Sequence, residues 1–259
     1  MDDLVTFEDL QVSTTYRVRL HDRGPALWPE NKPEKEIEEL KATTPPLIWA
    51  GTYQGVPSPP GGFTFKREWW RNQNRYDPEN PPSVVARFQS WDTAETDSED
   101  AAYSVCITAG LTADYRLLIE SVYRARLIFP ELPPKIESLA KWALGNGGLK
   151  VVLIEDKSSG VSAYQTLKVS ANKAVSRLIY PFTPRVDKET RANQAALWGA
   201  NGSILLPYPD TSAIWLMDFE DELFDFPQSA YKDQVDAFSQ LVIYCENYLA
   251  SGLHKRKGA

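Results

Sequence analysis

The sequence predicts an α/β protein built on a mixed β-sheet with helices on both faces, and two observations carry this. Three strand-like segments follow one another from Val84 with only short connections, the pattern of an antiparallel meander. Beyond them, apolar strand runs alternate with helical stretches, and such crossovers return each strand parallel to an earlier one.

The elements follow in order. "VVARFQSWD" (84–92) alternates so that Ala86, Phe88, Ser90 and Asp92 share one face. "AAYSVCITAGL" (101–111) and "YRLLIESVYRAR" (115–126) are the next two strands, joined by a turn at Thr112–Asp114. A helix over about 131–145 presents Ile136, Leu139, Ala140 and Ala143 at helical spacing. "KVVLIED" (150–156) is a continuous apolar run, as in a strand buried on both faces. A helix from Ser158, a strand at 177–183, a helix at 188–200, a short strand at 203–207 and a helix near 212–224 follow. The last element, from Tyr231 to Ser251, is a long helix striped by Val235, Phe238, Val242, Cys245 and Leu249.

Residues 1–82 differ from the rest. They are dense in proline, with one short charged helix pattern at 33–42, and read as an arm that packs on something else. The sheet domain spans 83–252, and a basic tail covers 253–259. "FKREWWRNQNR" (65–75) interleaves basic residues with tryptophans, a weak sign of contact with a nucleic acid.

Composition excludes several classes. The chain has 259 residues, 42% of them hydrophobic, with no apolar run of the roughly 20 residues that span a bilayer. Its N-terminus, "MDDLVTFEDL", lacks the charged-then-apolar pattern of a secretory leader. Two cysteines and two isolated histidines cannot assemble a zinc site, and both cysteines read as small core residues of a reducing compartment. No G-x-x-x-x-G-K-[ST] loop occurs, which argues against ATP hydrolysis by this chain. Net charge is −7, which disfavours tight nonspecific binding to DNA.

The chemistry-bearing residues are carboxylates. Asp92 ends one strand, Glu155 ends another, and Asp233 and Asp236 head the last helix three positions apart. Each has an ordinary explanation: a turn for Asp92, a helix cap near Glu155–Asp156, and helix-dipole complementarity for the two aspartates. Together they must explain why acids end two core-patterned strands and head a core-packed helix. Converging carboxylates repel unless a cation neutralises them, and an all-oxygen donor set selects Mg²⁺ or Mn²⁺. Two such ions about 4 Å apart hydrolyse phosphodiesters.

At this point the chain resembles a known family, the C-terminal nuclease domain of the tailed-phage or prophage terminase large subunit. "WDTA" (91–94), "VLIEDKSSG" (152–160), "DKETRA" (187–192), "ELFDFP" (222–227) and "KDQVDAFSQ" (232–240) carry the resemblance. They stand in the family's order over about 84–250, and "LWPE" (27–30) and 53–70 are similar to the segment leading from motor to nuclease. The resemblance implies an RNase H-like (retroviral-integrase-like) fold and a two-metal endonuclease that cuts concatemeric double-stranded DNA. It implies Asp92, Glu155 and Asp233 as catalytic metal ligands, Asp92 shared between both ions, with Asp236 a further ligand candidate. Lys157, Lys188 and Arg191 are its candidates for DNA contact, or else neutralising and surface charges. The implied partners are DNA, an ATPase motor domain, the portal and the small terminase subunit, in the cytoplasm of a bacterial host and with no membrane.

The sequence departs from the family pattern at Tyr231 and Lys232, where His-Asp is usual. That leaves the third ligand open between Asp233 and Asp236. It also keeps two other readings in view: a docking module whose site has decayed, and a resolvase- or transposase-like enzyme on the same fold.

Overall fold

The computed structural model describes residues 33–43, 63–94, 103–209 and 211–257. The acidic loop Asp97, Glu99 and Asp100, and most of the arm, lie outside the described residues. The chain divides into two compact units, Met1–Gly61 and Gly62–Ala259. In the first, helix α1 (Glu34–Thr43) matches the charged pattern expected there, and Thr43 Oγ1 donates to Glu39 O at 2.9 Å in its last turn.

The second unit holds seven strands: β1 (Arg75–Tyr76), β2 (Val84–Asp92), β3 (Ser104–Thr112), β4 (Leu117–Ala125), β5 (Leu149–Glu155), β6 (Ile179–Phe182) and β7 (Ile204–Pro207). Their order across the sheet is β1-β7-β4-β3-β2-β5-β6. The meander β2-β3-β4 is antiparallel, β5 and β6 extend it parallel to β2, and β7 adds parallel to β4. Sequence missed β1, a two-residue strand pairing Arg75 with Leu206, because two residues carry no periodicity.

Helices cover both faces because the strand faces are apolar on both sides. Helices α2 (Leu132–Gly145) and α3 (Ser158–Ser170) bury Ile136, Ala140, Ala163 and Leu167 against Trp91, Cys106, Val152 and Ile154. A single-turn helix, α4 (Lys173–Ser176), follows and is capped by the Asn172 side chain. On the opposite face lie α5 (Lys188–Ala200), α6 (Leu216–Asp225) and α7 (Asp233–Lys257). Their Ala192, Ala195, Phe219, Val235, Phe238 and Cys245 pack on Phe88, Ile107, Val151 and Leu153. Helix α6 begins four residues later than its pattern suggested, and α7 starts at Asp233 and runs on through 253–257. Both cysteines are free and buried.

Residues 63–76, read from sequence as part of the arm, are built into this unit. Phe65 and Trp70 are buried, with Phe65 edge-on to Phe238 at 5.8 Å and Trp70 against Phe224 at 5.7 Å. Gly199 makes room for Trp70, since a Cβ there would meet Trp70 Cη2 at 2.7 Å. Arg75 stitches the segment down: Nη2 pairs with Glu220 at 2.6 Å, and Nη1 donates to Pro207 O at 3.0 Å. Trp70 and Arg75 are therefore core and strut residues, which removes them from the basic-aromatic patch the sequence suggested. No helix among the described residues is long and apolar enough to cross a membrane.

A chain beginning at Gly62 is expected to unfold in one cooperative transition. One beginning at Ser83, which lacks Phe65, Trp70 and β1, is expected to lose at least about 4 kcal/mol, the scale of deleting a buried aromatic. Urea denaturation of the two truncations checks this.

Candidate active site

The parallel register of β2 and β5 builds the site. Phe88 pairs with Val151, Ser90 with Leu153 and Trp91 with Ile154. One step further, Asp92 and Glu155 fall side by side at the carboxyl ends of neighbouring strands, on the same face. That face is covered by α7, which packs across β2 and β3. Gln240 of α7 reaches Trp91 O at 3.4 Å. Asp92 and Glu155 are both buried, with their carboxyl groups close enough to act on each other directly.

Three acids and three bases meet there. Lys157 Nζ lies 2.8 Å from Glu155 Oε2. Arg191 Nη2 lies 3.0 Å from Asp236 Oδ1 and 3.9 Å from Glu155 Oε1. Lys188 Nζ pairs with Asp236 Oδ2. Lys188 and Arg191 are i and i+3 on α5, so one face of its first turns delivers both. Asp187 caps that helix, accepting from Thr190 N at 2.9 Å.

The electrostatics separate the acids. Burial, then the hydrogen bond and charge of Glu155, then Asp236, hold the Asp92 carboxyl well above the usual carboxylate range, with Lys157 opposing. For Glu155, burial pushes upward, but the hydrogen bond from Asp92 together with Lys157 and Arg191 outweighs it, and the group titrates below its ordinary value. The pair therefore titrates apart, with Asp92 the harder of the two to ionise.

The two acids of α7 have different surroundings. Asp236 is buried and acts on Asp92 while sharing Arg191 with Glu155. Asp233 is half-buried; burial raises it, while Lys188, Arg124 and a hydrogen bond from the Tyr103 backbone lower it. Lys232, the departure from the family pattern, stands over the Phe226 ring at 6.0 Å from its centroid.

Several supporting residues lie in or near the quoted motifs, but their roles appear only in the fold. Glu222 of α6 serves as the cap of α7, accepting from Gln234 N at 2.6 Å and Val235 N at 3.1 Å. Thr93 Oγ1 and Ser159 Oγ are 3.0 Å apart and tie the end of β2 to α3. A Cβ on Gly160 would lie 2.0 Å from Glu155 O, so "EDKSSG" needs glycine for close backbone approach. Asp156, a candidate helix cap by sequence, instead accepts from Thr183 Oγ1 at 3.0 Å, and the α3 N-terminus has no side-chain cap. Arg124 lies between Tyr103 and Tyr231, 3.9 and 4.7 Å from their centroids.

The donor set fits a hard divalent cation. Its acids are all carboxylates, and neither buried Glu155 oxygen has a hydrogen-bond partner, Lys157 and Arg191 facing them as ion pairs. Among the described residues, no three acidic, histidine or cysteine side chains are already arranged to hold an ion.

Residues 89–244 match the model of the terminase RNaseH-like domain family. Among solved structures, the chain is similar to the large terminase of a thermophilic bacteriophage in complex with ATP-gamma-S, at 13% identity and a TM-score of 0.50, covering 81% of this chain and 52% of that one. It is also similar to the large terminase nuclease of thermophilic phage G20c with bound magnesium, at 13% identity and a TM-score of 0.48, covering 71% and 98%. The human cytomegalovirus terminase nuclease domain follows at 14% identity and a TM-score of 0.46, covering 66% and 89%. At these identities the likeness is one of fold. The chain spans about half the length of the first of these proteins. No curated protein sequence matches the chain.

Because the folded pKa of Asp92 is raised, the folded protein binds more protons than the unfolded one above about pH 4, the ordinary Asp value. The stability from that bound proton is complete below this pH and is lost as pH rises through the raised value. Asp92→Asn is therefore expected to melt above wild type at pH 7–8 in EDTA, with the gap closing toward pH 4. Thermal unfolding across that range checks the sign.

Proposed function

The chain belongs to the terminase RNaseH-like domain family, and from that premise we propose that it is a metal-dependent DNA endonuclease of viral DNA packaging. The observation that carries the proposal is the juxtaposition of Asp92 and Glu155 by strand register, with Asp236 brought against them by α7.

In this reading Asp92, Glu155 and Asp236 hold the divalent ions, Mg²⁺ or Mn²⁺ and two in number, and Asp233 stands beside them. Bound there, such ions supply an activated water and stabilise the leaving oxygen of the phosphodiester. The chain's own groups do the rest. A cation beside Asp92 would favour its charged form against the upward shift that burial imposes. Arg191, buried between Asp236 and Glu155, holds both carboxylates in orientation from behind. Lys157 and Lys188 are half exposed, and their ammonium groups are free to turn toward a backbone phosphate.

The acidic balance of the chain, −7 overall, suits a nuclease whose substrate is kept in reach by others. A tethered motor, the portal and the small terminase subunit would raise the local DNA concentration and make weak intrinsic affinity sufficient. Residues 1–61 would be the end of that motor region, and the setting the cytoplasm of an infected bacterium.

Supercoiled plasmid is expected to be nicked and linearised with Mg²⁺ or Mn²⁺, and Asp92→Ala, Glu155→Ala and Asp236→Ala to abolish cutting. Asp233→Ala should retain activity within about 10- to 100-fold of wild type, the scale of an outer-shell partner. Gel assays of the four variants test the assignment, and cutting that survives Asp92→Ala would refute it. If wild type cuts nothing under either metal, the docking-module reading takes its place.

A further inference from the structure

Both oxygens of Asp236 are paired with bases in the free protein. Its Oδ1 accepts from the Arg191 guanidinium at 3.0 Å, and its Oδ2 is paired with the Lys188 ammonium. These two bases differ in what they can do next. The Arg191 side chain is 4% exposed and is also anchored to Val186 O at 3.2 Å. The Lys188 side chain is 45% exposed and sits at the first position of α5, one residue past the cap. One cation is fixed in the protein, and the other is held by a flexible four-carbon stem that can leave without moving the backbone.

Lys188 also lies in the field of Asp92 and Asp233 as well as Asp236. Lys157 stands on Glu155 in the same manner. With Arg191 included, three basic groups are paired with Glu155 and Asp236 with no metal present. A divalent ion entering this site meets carboxylates already paired with cations, and to take Asp236 Oδ2 as a ligand it must compete with Lys188.

We infer that the Lys188 ammonium is an intramolecular competitor for the cation site, which must leave Asp236 before a divalent ion can be held there. The inference rests on the metal-dependent reading above and adds a role for Lys188. The side chain stabilises the apo site, sets the metal affinity of the free protein, and once released stands half exposed beside the loaded acids. Lys188 is thus a positioning residue whose effect appears in metal binding before any DNA is present.

The test is calorimetric titration of Mn²⁺ into the metal-free full chain, without DNA, for wild type, Lys188→Met, Lys188→Gln and Lys188→Arg. The Met and Gln variants are expected to bind Mn²⁺ about tenfold tighter than wild type, the scale of removing one competing charge pair. Lys188→Arg, which keeps a cation in place, should stay near wild type. In EDTA the Met and Gln variants should melt below wild type, and Mn²⁺ should raise their melting temperatures by more than it raises that of wild type. Equal or weaker Mn²⁺ binding by the two neutral variants, with wild type binding normally, overturns the inference and leaves the nuclease reading standing. Absence of Mn²⁺ binding in all four folded proteins overturns both.

Discussion

The register between β2 and β5 is the constraint on which the site depends. Phe88 against Val151 and Ser90 against Leu153 commit the two strands to a phase in which Asp92 and Glu155 end adjacent and on one face. A slip of one residue would turn either acid toward α2 and α3, into the apolar layer around Trp91 and Ile154. Burial of Phe88, Val151 and Leu153 beneath α7 is what prevents that slip. The same packing that makes the core thus holds two carboxylates together against their mutual repulsion.

That repulsion is then managed by charge. Two buried acids side by side are tolerable when they share a proton and when fixed positive groups face them. Asp92 is held above the ordinary carboxylate range and Glu155 below it, and α5 brings Arg191 and Lys188 against Glu155 and Asp236. The crossover from β6 to β7 therefore contributes more than a covering helix. Its capped first turns deliver the cations that let the acidic cluster fold in the absence of metal. Glu222 has a parallel function on α6, satisfying the first amides of α7 and so fixing the helix that carries Asp236.

Much of the fold was legible because its periodicities are strong. The meander, the buried β5 run and the striped α7 each span enough residues for a two- or 3.6-residue pattern to stand out. The family model over 89–244 supports the same region that the ordered motifs marked. What the pattern hid was short or nonlocal. β1 has two residues, and Trp70 looks like an exposed basic-patch tryptophan until α6 and the cleft at Gly199 are in place. Arg191 reads as a surface charge on a helix, since nothing in its neighbours announces that its guanidinium ends between two carboxylates.

By itself, the sequence determined the α/β class, the strand ends carrying Asp92 and Glu155, and the helix start carrying Asp233 and Asp236. Those are properties of local alternation and position within an element. Only the tertiary structure shows which acid of α7 is paired with Arg191 and Lys188. That choice depends on the rotation of α7 about its axis over β2 and β3, and on where α5 crosses it. Both are set by long-range packing of Phe65, Phe219 and Phe238, contacts between segments that no local spacing encodes.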